Sequence, residues 1–181
     1  MSSSNQPPKI ALISGHIDLT TSELEKHYVP QIDAALQGGH HFVLGDAAGA
    51  DTLALSYLLS QVLSSSNIDL RSRITMYPSR KHNISKFREQ GLRVVLPDDP
   101  NLNHERTLVV VTKKGPDARR YHHIQRDANM TAATDYDILY VRSEEESRNL
   151  YGDKYRPRLS ATEMNRMRRE ELAKLSSRLV D

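Results

Sequence analysis

The chain of 181 residues contains neither cysteine nor tryptophan. Without cysteine the protein has no disulfide, no thiolate zinc site, no iron–sulfur cluster and no cysteine nucleophile. The sequence also lacks any apolar run near the ~20 residues that a membrane-spanning helix needs, and its polar N-terminal segment shows no signal-peptide pattern. These absences predict a soluble, cytoplasmic protein without a membrane partner.

The chain also has little excess charge of one sign, because its 25 basic and 23 acidic residues give a net charge of +2. The C-terminal quarter is locally basic, but its charges are mixed. It carries Arg156, Arg158, Arg166, Arg168 and Arg169 together with Glu163, Glu170 and Glu171. Such mixing is typical of a solvated helix face. A nucleic-acid partner is therefore disfavoured, since DNA binding depends strongly on positive charge.

Short apolar runs alternate with segments of helical spacing. The runs predict strands or extended segments at residues 9–13, 41–44, 73–77, 92–96, 108–112 and 136–141. Helices are predicted at residues 22–36, 80–90, 121–134 and 163–179, and another from Asp51 that is apolar on nearly all sides and should be deeply buried. This alternation predicts an α/β fold, a three-layer Rossmann-like sandwich with a mostly parallel sheet.

The length suits one domain with a short tail. Residues 1–8 are rich in serine and proline and predict a disordered N-terminal tail, whereas residues 9–181 predict a single Rossmann-like domain. Within it, residues 142–159 are predicted to form a polar loop and residues 160–179 a C-terminal helix.

The first helix has three candidate N-terminal caps. Ser22 with Glu25 fits a capping box, whereas Asp18 or Thr20 can cap the helix a few residues earlier. Pro30 lies inside the helical pattern and removes one amide donor. Either the helix bends there, or a short turn precedes a second helix that begins one residue before the proline.

Two loops of small residues follow predicted strands. The first is Ser14-Gly15-His16, and the second is Gly45-Asp46-Ala47-Ala48-Gly49-Ala50-Asp51. In a parallel sheet both loops lie at the carboxyl edge, where ligands bind near the reversal of strand order. The first amides of the helix that starts near Ala50 lack partners within the helix, so this loop predicts a site for phosphate or another anion.

The second loop differs from two common phosphate-binding motifs. It has neither the Gly-x-Gly-x-x-Gly of dinucleotide-binding domains nor the Gly-Lys-Ser/Thr of P-loop ATPases. Asp51 follows the loop, and two roles remain open for it. It either accepts hydrogen bonds from ribose hydroxyls or stabilises the N-terminus of its own helix electrostatically.

Together with Arg126-Asp127-Ala128-Asn129-Met130, these loops resemble the SLOG superfamily, the Rossmannoid domains related to the Lonely Guy phosphoribohydrolases and the DprA DNA-processing proteins. The resemblance spans roughly residues 9–169. It implies a nucleotide or nucleoside phosphate as ligand at the carboxyl edge, cleavage of its N-glycosidic bond in some relatives, and a homodimer. The Pro-Gly-Gly-x-Gly-Thr phosphate loop of Lonely Guy proteins is replaced here by Leu159-Ser160-Ala161-Thr162-Glu163.

Hydrolysis of a ribosyl bond requires carboxyl groups that steady the oxocarbenium ion or activate water. Asp46, Asp51 and Glu163 are the candidate catalytic residues. Arg126 either contacts a phosphate, as an equivalent arginine does in Lonely Guy relatives, or forms part of an exposed helix face. The other candidate ligand-binding residues are Ser14, Gly15, His16, Gly45, Ala48, Gly49, Ala50, Met130, Ser160, Ala161 and Thr162.

Two further functions compete with the hydrolase hypothesis. The same pocket in a non-catalytic sensor or interaction domain would bind the ligand without turnover. Handling of single-stranded DNA, as in a DprA-like protein, is the least favoured function because the net charge is small.

The histidines give no sign of a metal site. His40-His41 and His122-His123 are adjacent pairs, whose side chains diverge on a strand or a helix and do not share one ion. His16 follows a strand and titrates near neutrality, so it either binds a phosphate or base or is a plain loop residue. No metal or cofactor is indicated.

Overall fold

A computed structural model describes residues 7–65, 68–79, 82–96 and 118–178. Its five strands form one parallel sheet in the order β4-β3-β2-β1-β5. They are β1 (Ile10–Ile13), β2 (His41–Leu44), β3 (Ile74–Met76), β4 (Arg93–Val94) and β5 (Tyr136–Ile138). The predicted α/β class and parallel sheet are confirmed. The predicted strand at residues 108–112 and most of the predicted tail lie outside the described residues.

Helices cover both faces of the sheet. They are α1 (Thr21–His27), α2 (Val29–Gln37), α3 (Ala50–Ser65), α4 (His82–Glu89), α5 (Ala118–Ala132), α6 (Glu144–Tyr151) and α7 (Ala161–Arg178). Two 3₁₀ turns span Ile68–Arg73 and Gly152–Lys154. None of the helices in the described ranges has the length and apolarity that crossing a membrane would require.

The alternation of side chains along each strand produces two cores. The larger core contains Ile13, Phe42 and Leu44 from the sheet and lies under α1, α2 and α3. The smaller core lies on the other face and joins Leu12 and Val43 to Met130 of α5. Met130, a predicted ligand-binding residue, is 2% exposed in this core. The two cores give the three-layer architecture that the sequence predicts.

The N-terminal cap of α1 is Thr20. Its hydroxyl accepts a hydrogen bond from the Glu23 amide, and the Glu23 carboxylate accepts one from the Thr20 amide. The predicted Ser22–Glu25 capping box is therefore wrong by two residues. The helix ends at His27, and Pro30 lies in the first turn of α2, where a missing amide is tolerated.

The prediction of a polar loop over residues 142–159 is wrong in part, because α6 and a 3₁₀ turn lie within it. Ser143 and Glu146 form a capping box, and three acidic residues in the first turn stabilise α6 by their attraction to the positive end of its dipole. Because α6 has no buried residue, the sequence shows no apolar periodicity there. The burial predicted for α3 is also incomplete, since Leu63 is 79% exposed.

The strand order reverses between β1 and β5, which places the crevice of an open α/β sheet at the carboxyl ends of these two strands. On the side of α1, the buried Tyr28 hydroxyl fills this gap. It donates to the Ser14 carbonyl (3.0 Å) and accepts from the Tyr140 amide (3.1 Å). Gly15 makes room for it, because a Cβ at that position would overlap the Tyr28 hydroxyl.

Replacing Tyr28 by phenylalanine is expected to lower the free energy of unfolding by about 1–2 kcal/mol, because two buried backbone groups lose their partner. Urea denaturation measures the change. Tyr57→Phe is the matched control, because its hydroxyl donates to the Asp33 carboxylate at a part-exposed position and its loss should cost less. Equal losses in the two variants would contradict a bridging role for Tyr28.

Candidate functional site

The loop between β2 and α3 is filled by the protein's own backbone. Gly49 has a φ of +70°, and the His16–Ile17 backbone packs directly against it. The Ala50 amide, predicted to be free for an anion, donates to the His16 carbonyl (3.0 Å). The Ala47 amide likewise donates to the Asp51 carboxyl group (3.1 Å). The expectation that the Ala50 amide points at an anion is therefore wrong.

A buried carboxylate–arginine cluster lies beside this loop and consists of Asp46, Asp51, Arg126 and Asp127. Arg126 forms ion pairs with Asp46 (3.1 Å) and Asp127 (2.9 Å). Gly45 lies between Asp51 and the arginine, because a Cβ there would overlap the Asp51 carboxyl group and come within 3.5 Å of the guanidinium carbon. The fold thus brings Gly45, Asp46, Asp51 and Arg126 together, as the sequence predicts.

The two aspartates after β2 differ in charge state. Burial raises the pKa of Asp51 to about 7, although the Ala47 amide and the Arg126 charge oppose the rise. Burial acts in the same direction on Asp46, but the hydrogen bonds from Ser79 and Asn83 and the Arg126 charge outweigh it and lower the pKa. Near neutral pH, Asp46 is ionised whereas Asp51 holds a proton in part.

Glu163, the third predicted catalytic residue, is not part of this cluster. Its side chain is 30% exposed and lies 3.8 Å from Arg166 on the same helix. The residues of α7 that turn inward are instead Thr162 and Asn165, which are 1% and 4% exposed. Ser160 caps α7, since its hydroxyl accepts a hydrogen bond from the Glu163 amide (3.0 Å).

Four side chains have buried polar atoms with no partner among the described residues. One is Gln90, which directly follows α4, and we call the other three the unpaired polar cluster. They are the Ser14 hydroxyl, both ends of the Asn129 carboxamide and the Thr162 hydroxyl. Ser14, Asn129 and Thr162 are 5%, 2% and 1% exposed. Buried polar atoms without a hydrogen bond are rare and costly in native proteins, so this cluster requires an explanation.

The register places the unpaired polar cluster on the α5–α7 side of the carboxyl edge. Ser14 follows Leu12 by two residues and its amide continues the ladder to the Ile138 carbonyl (3.2 Å), so its side chain faces α5. Asn129 lies one helical turn from Arg126, whose guanidinium reaches the loop after β2. We infer that Ser14 and Asn129 both lie toward the carboxyl edge of the sheet.

Thr162 lies in the first turn of α7, a helix that is anchored to β5. Arg169 binds Asp137 of β5 (2.7 Å), and Thr162 precedes it by seven residues, about 10 Å along the helix. Arg169 also donates to the Thr134 carbonyl just before β5, so the middle of α7 is fixed beside this strand and its first turn lies about two helical turns away. The sequence singled out Ser14 and Thr162 but missed Asn129, although its spacing of three from Arg126 was a usable sign of a shared helix face.

Two open cavities lie on the opposite side, over α1. One, of about 500 Å³, is lined by Ile17–Thr21, Ala48, Gly49, Thr52 and Leu53. It lies between the segment that follows the first small-residue loop and the second loop, and none of Ser14, Gly15 and His16 lines it. The other, of about 490 Å³, lies between α1, the residues after β5 and α6.

His16 lies at the boundary between these regions. Its Nε2 accepts a hydrogen bond from the Arg142 amide (3.3 Å). Burial, and then the positive charge of Arg142, lower the pKa of His16 below its usual value. The ring is therefore neutral near pH 7 and positions the chain after β5.

Comparisons with protein-family models, curated proteins and solved structures give no match to this chain.

Proposed function

We propose that the protein binds a nucleotide or nucleoside phosphate at the carboxyl edge of the sheet, with the phosphate against the first turn of α7. The observation that carries this proposal is the unpaired polar cluster of Ser14, Asn129 and Thr162. A ligand rich in oxygen atoms supplies partners for a hydroxyl group and a carboxamide. The resemblance of the loops to the SLOG superfamily supports the same class of ligand.

The electrostatics around α7 support an anion at this position. The helix has 18 residues, and its N-terminus carries partial positive charge. Arg126 and Arg168 are both close enough to Asp127 to interact with its charge. A phosphate near them would compete with Asp127 for guanidinium donors.

We propose binding without turnover as the primary activity. Asp46 already accepts hydrogen bonds from Ser79, Asn83 and Arg126, so it is committed to the fold. Glu163 is turned away toward Arg166. Hydrolysis of the N-glycosidic bond is the second candidate function and would use Asp51, whose raised pKa suits a general acid near neutrality.

Replacing Thr162 by valine tests the proposal, because valine keeps the shape and removes only the hydroxyl. AMP is expected to bind the wild type and to bind Thr162→Val about tenfold more weakly, since a hydrogen bond to a charged group is lost. The free energy of unfolding without ligand should not fall, because the hydroxyl has no partner in the described structure. Isothermal titration calorimetry and urea denaturation measure the two quantities.

Thr131→Val is the matched control. Its hydroxyl donates to the Asp127 carbonyl (2.9 Å), so this variant should lose stability and keep its affinity for AMP. Absence of binding to the wild type, or equal affinities in the two variants, would refute the phosphate site. Chromatography after incubation with AMP separates the two candidate functions, because free adenine appears only if the protein is a hydrolase.

A further inference from the structure

The cavity of about 490 Å³ beside α6 is lined by two aromatic rings. The His27 and Tyr140 rings that line it are stacked, with centroids 3.7 Å apart and planes within 4° of parallel. His27 ends α1, and Tyr140 follows β5 by two residues. The two rings therefore lie near the carboxyl end of β5, next to the point where the strand order reverses.

The fold holds Tyr140 at both of its ends. Its amide donates to the Tyr28 hydroxyl, and its phenol donates to the Glu146 carboxylate of α6. Arg142, whose side chain is 3% exposed, binds Glu23 and Asp18 at 2.7 Å and fixes the adjoining segment to α1. Such support keeps an aromatic surface in place before any ligand arrives, which lowers the cost of binding.

The chemistry of the cavity favours a flat, largely neutral ring. A volume near 500 Å³ is within the range of small-molecule sites. The charges of Glu23 and Glu146 on its lining are balanced by Lys26 and Arg142, which favours a ligand group without charge. Asn149 provides hydrogen-bonding groups for a polar ring edge. Stacking on aromatic side chains is how proteins bind nucleobases without dependence on base identity.

We propose that this cavity is a nucleobase subsite, in which the ring of the ligand stacks on an outer face of the His27–Tyr140 pair and extends the stack to three rings. The inference rests on the proposed function, because it assigns the base of a nucleotide whose phosphate lies at the first turn of α7. Tyr140 follows β5 by two residues, and α7, which carries Thr162, is anchored to β5 by the Arg169–Asp137 ion pair. The proposed ligand reaches from one subsite to the other past this strand.

Adenosine tests the base subsite separately, because it carries the base without a phosphate. In titrations followed by NMR, adenosine is expected to shift the ring protons of His27 in the wild type. Tyr140→Leu should weaken binding about tenfold. Tyr140→Phe keeps the ring and loses only the hydrogen bond to Glu146, so it should weaken binding much less. His27→Leu, on the surface of α1, is the second variant and should weaken binding as Tyr140→Leu does.

The two proposals fail in different ways. Thr162→Val should leave adenosine binding unchanged, so its effect on AMP reports the phosphate site only. Failure of adenosine to shift His27, or equal affinities in Tyr140→Leu and Tyr140→Phe, would overturn the base subsite even if AMP binding depends on Thr162. Adenosine binding that needs the Tyr140 ring would support the base subsite even if Thr162 has no role.

Discussion

Replacing Asp51 by asparagine is expected to remove a loss of stability that the wild type shows as the pH rises from about 4 to about 7. The folded state holds the Asp51 proton up to about pH 7, whereas the unfolded chain releases it near the ordinary aspartate pKa of 3.8. Between these values the folded state binds more protons, so stability is full below the lower pKa and falls toward the upper one. Each pKa unit corresponds to about 1.36 kcal/mol, so the loss amounts to a few kcal/mol.

Asparagine is a suitable replacement because its side-chain oxygen can still accept the Ala47 hydrogen bond without a charge. Urea denaturation at several pH values compares the variant with the wild type. Relative to the wild type, Asp51→Asn should gain stability as the pH rises, with most of the gain present by about pH 8. A difference that does not depend on pH would show that Asp51 is ionised throughout.

Asp46→Asn provides a control of opposite sign. The folded pKa of Asp46 is lowered, so its contribution to stability is present above the unfolded pKa and is lost as the pH falls through the folded pKa. This variant should therefore be less stable than the wild type at neutral pH and approach it in acid. Two aspartates five residues apart would then respond to pH in opposite directions, which a general effect of mutation does not produce.

The fold class was predictable because periodicity is a local property of the sequence. Runs such as Phe42-Val43-Leu44 are apolar on both faces, as a parallel strand between two helical layers must be. The choice between Thr20 and Ser22 as cap was not predictable, since both have a glutamate three residues later. Helix α6 was missed because it is stabilised by caps and charge rather than by a buried face.

The candidate site was predictable only in part, because its contacts join distant residues. Small residues and polar loops at strand ends indicated Asp46 and Asp51, and parallel topology brings Arg126 to them across 80 positions. The partner of the Ala50 amide is the His16 carbonyl, which no local pattern reveals. The same limit applies to the base subsite, where Tyr140 meets His27 only after β5 is placed beside β1.

Alanine at position 49 is expected to destabilise the protein by about 3 kcal/mol or more. A side chain at a φ of +70° costs roughly 1–2 kcal/mol for its left-handed conformation. Its Cβ would also overlap the His16 carbonyl oxygen and the Ile17 carbonyl group. The His16 oxygen is held in place because it accepts hydrogen bonds from the Ala50 and Leu19 amides. Overpacking of this kind adds about 1–3 kcal/mol.

Gly39→Ala separates the two contributions, because Gly39 has nearly the same φ of +71° but no atom within 4 Å of the added Cβ. Gly39→Ala should lose only the stability that the left-handed conformation costs. The difference between the losses of the two variants therefore measures the overlap of the added Cβ with the His16–Ile17 backbone. Equal losses would mean that the His16–Ile17 backbone yields easily. The β1–α1 and β2–α3 loops would then be free to separate, and the Ala50 amide would again be open to an anion.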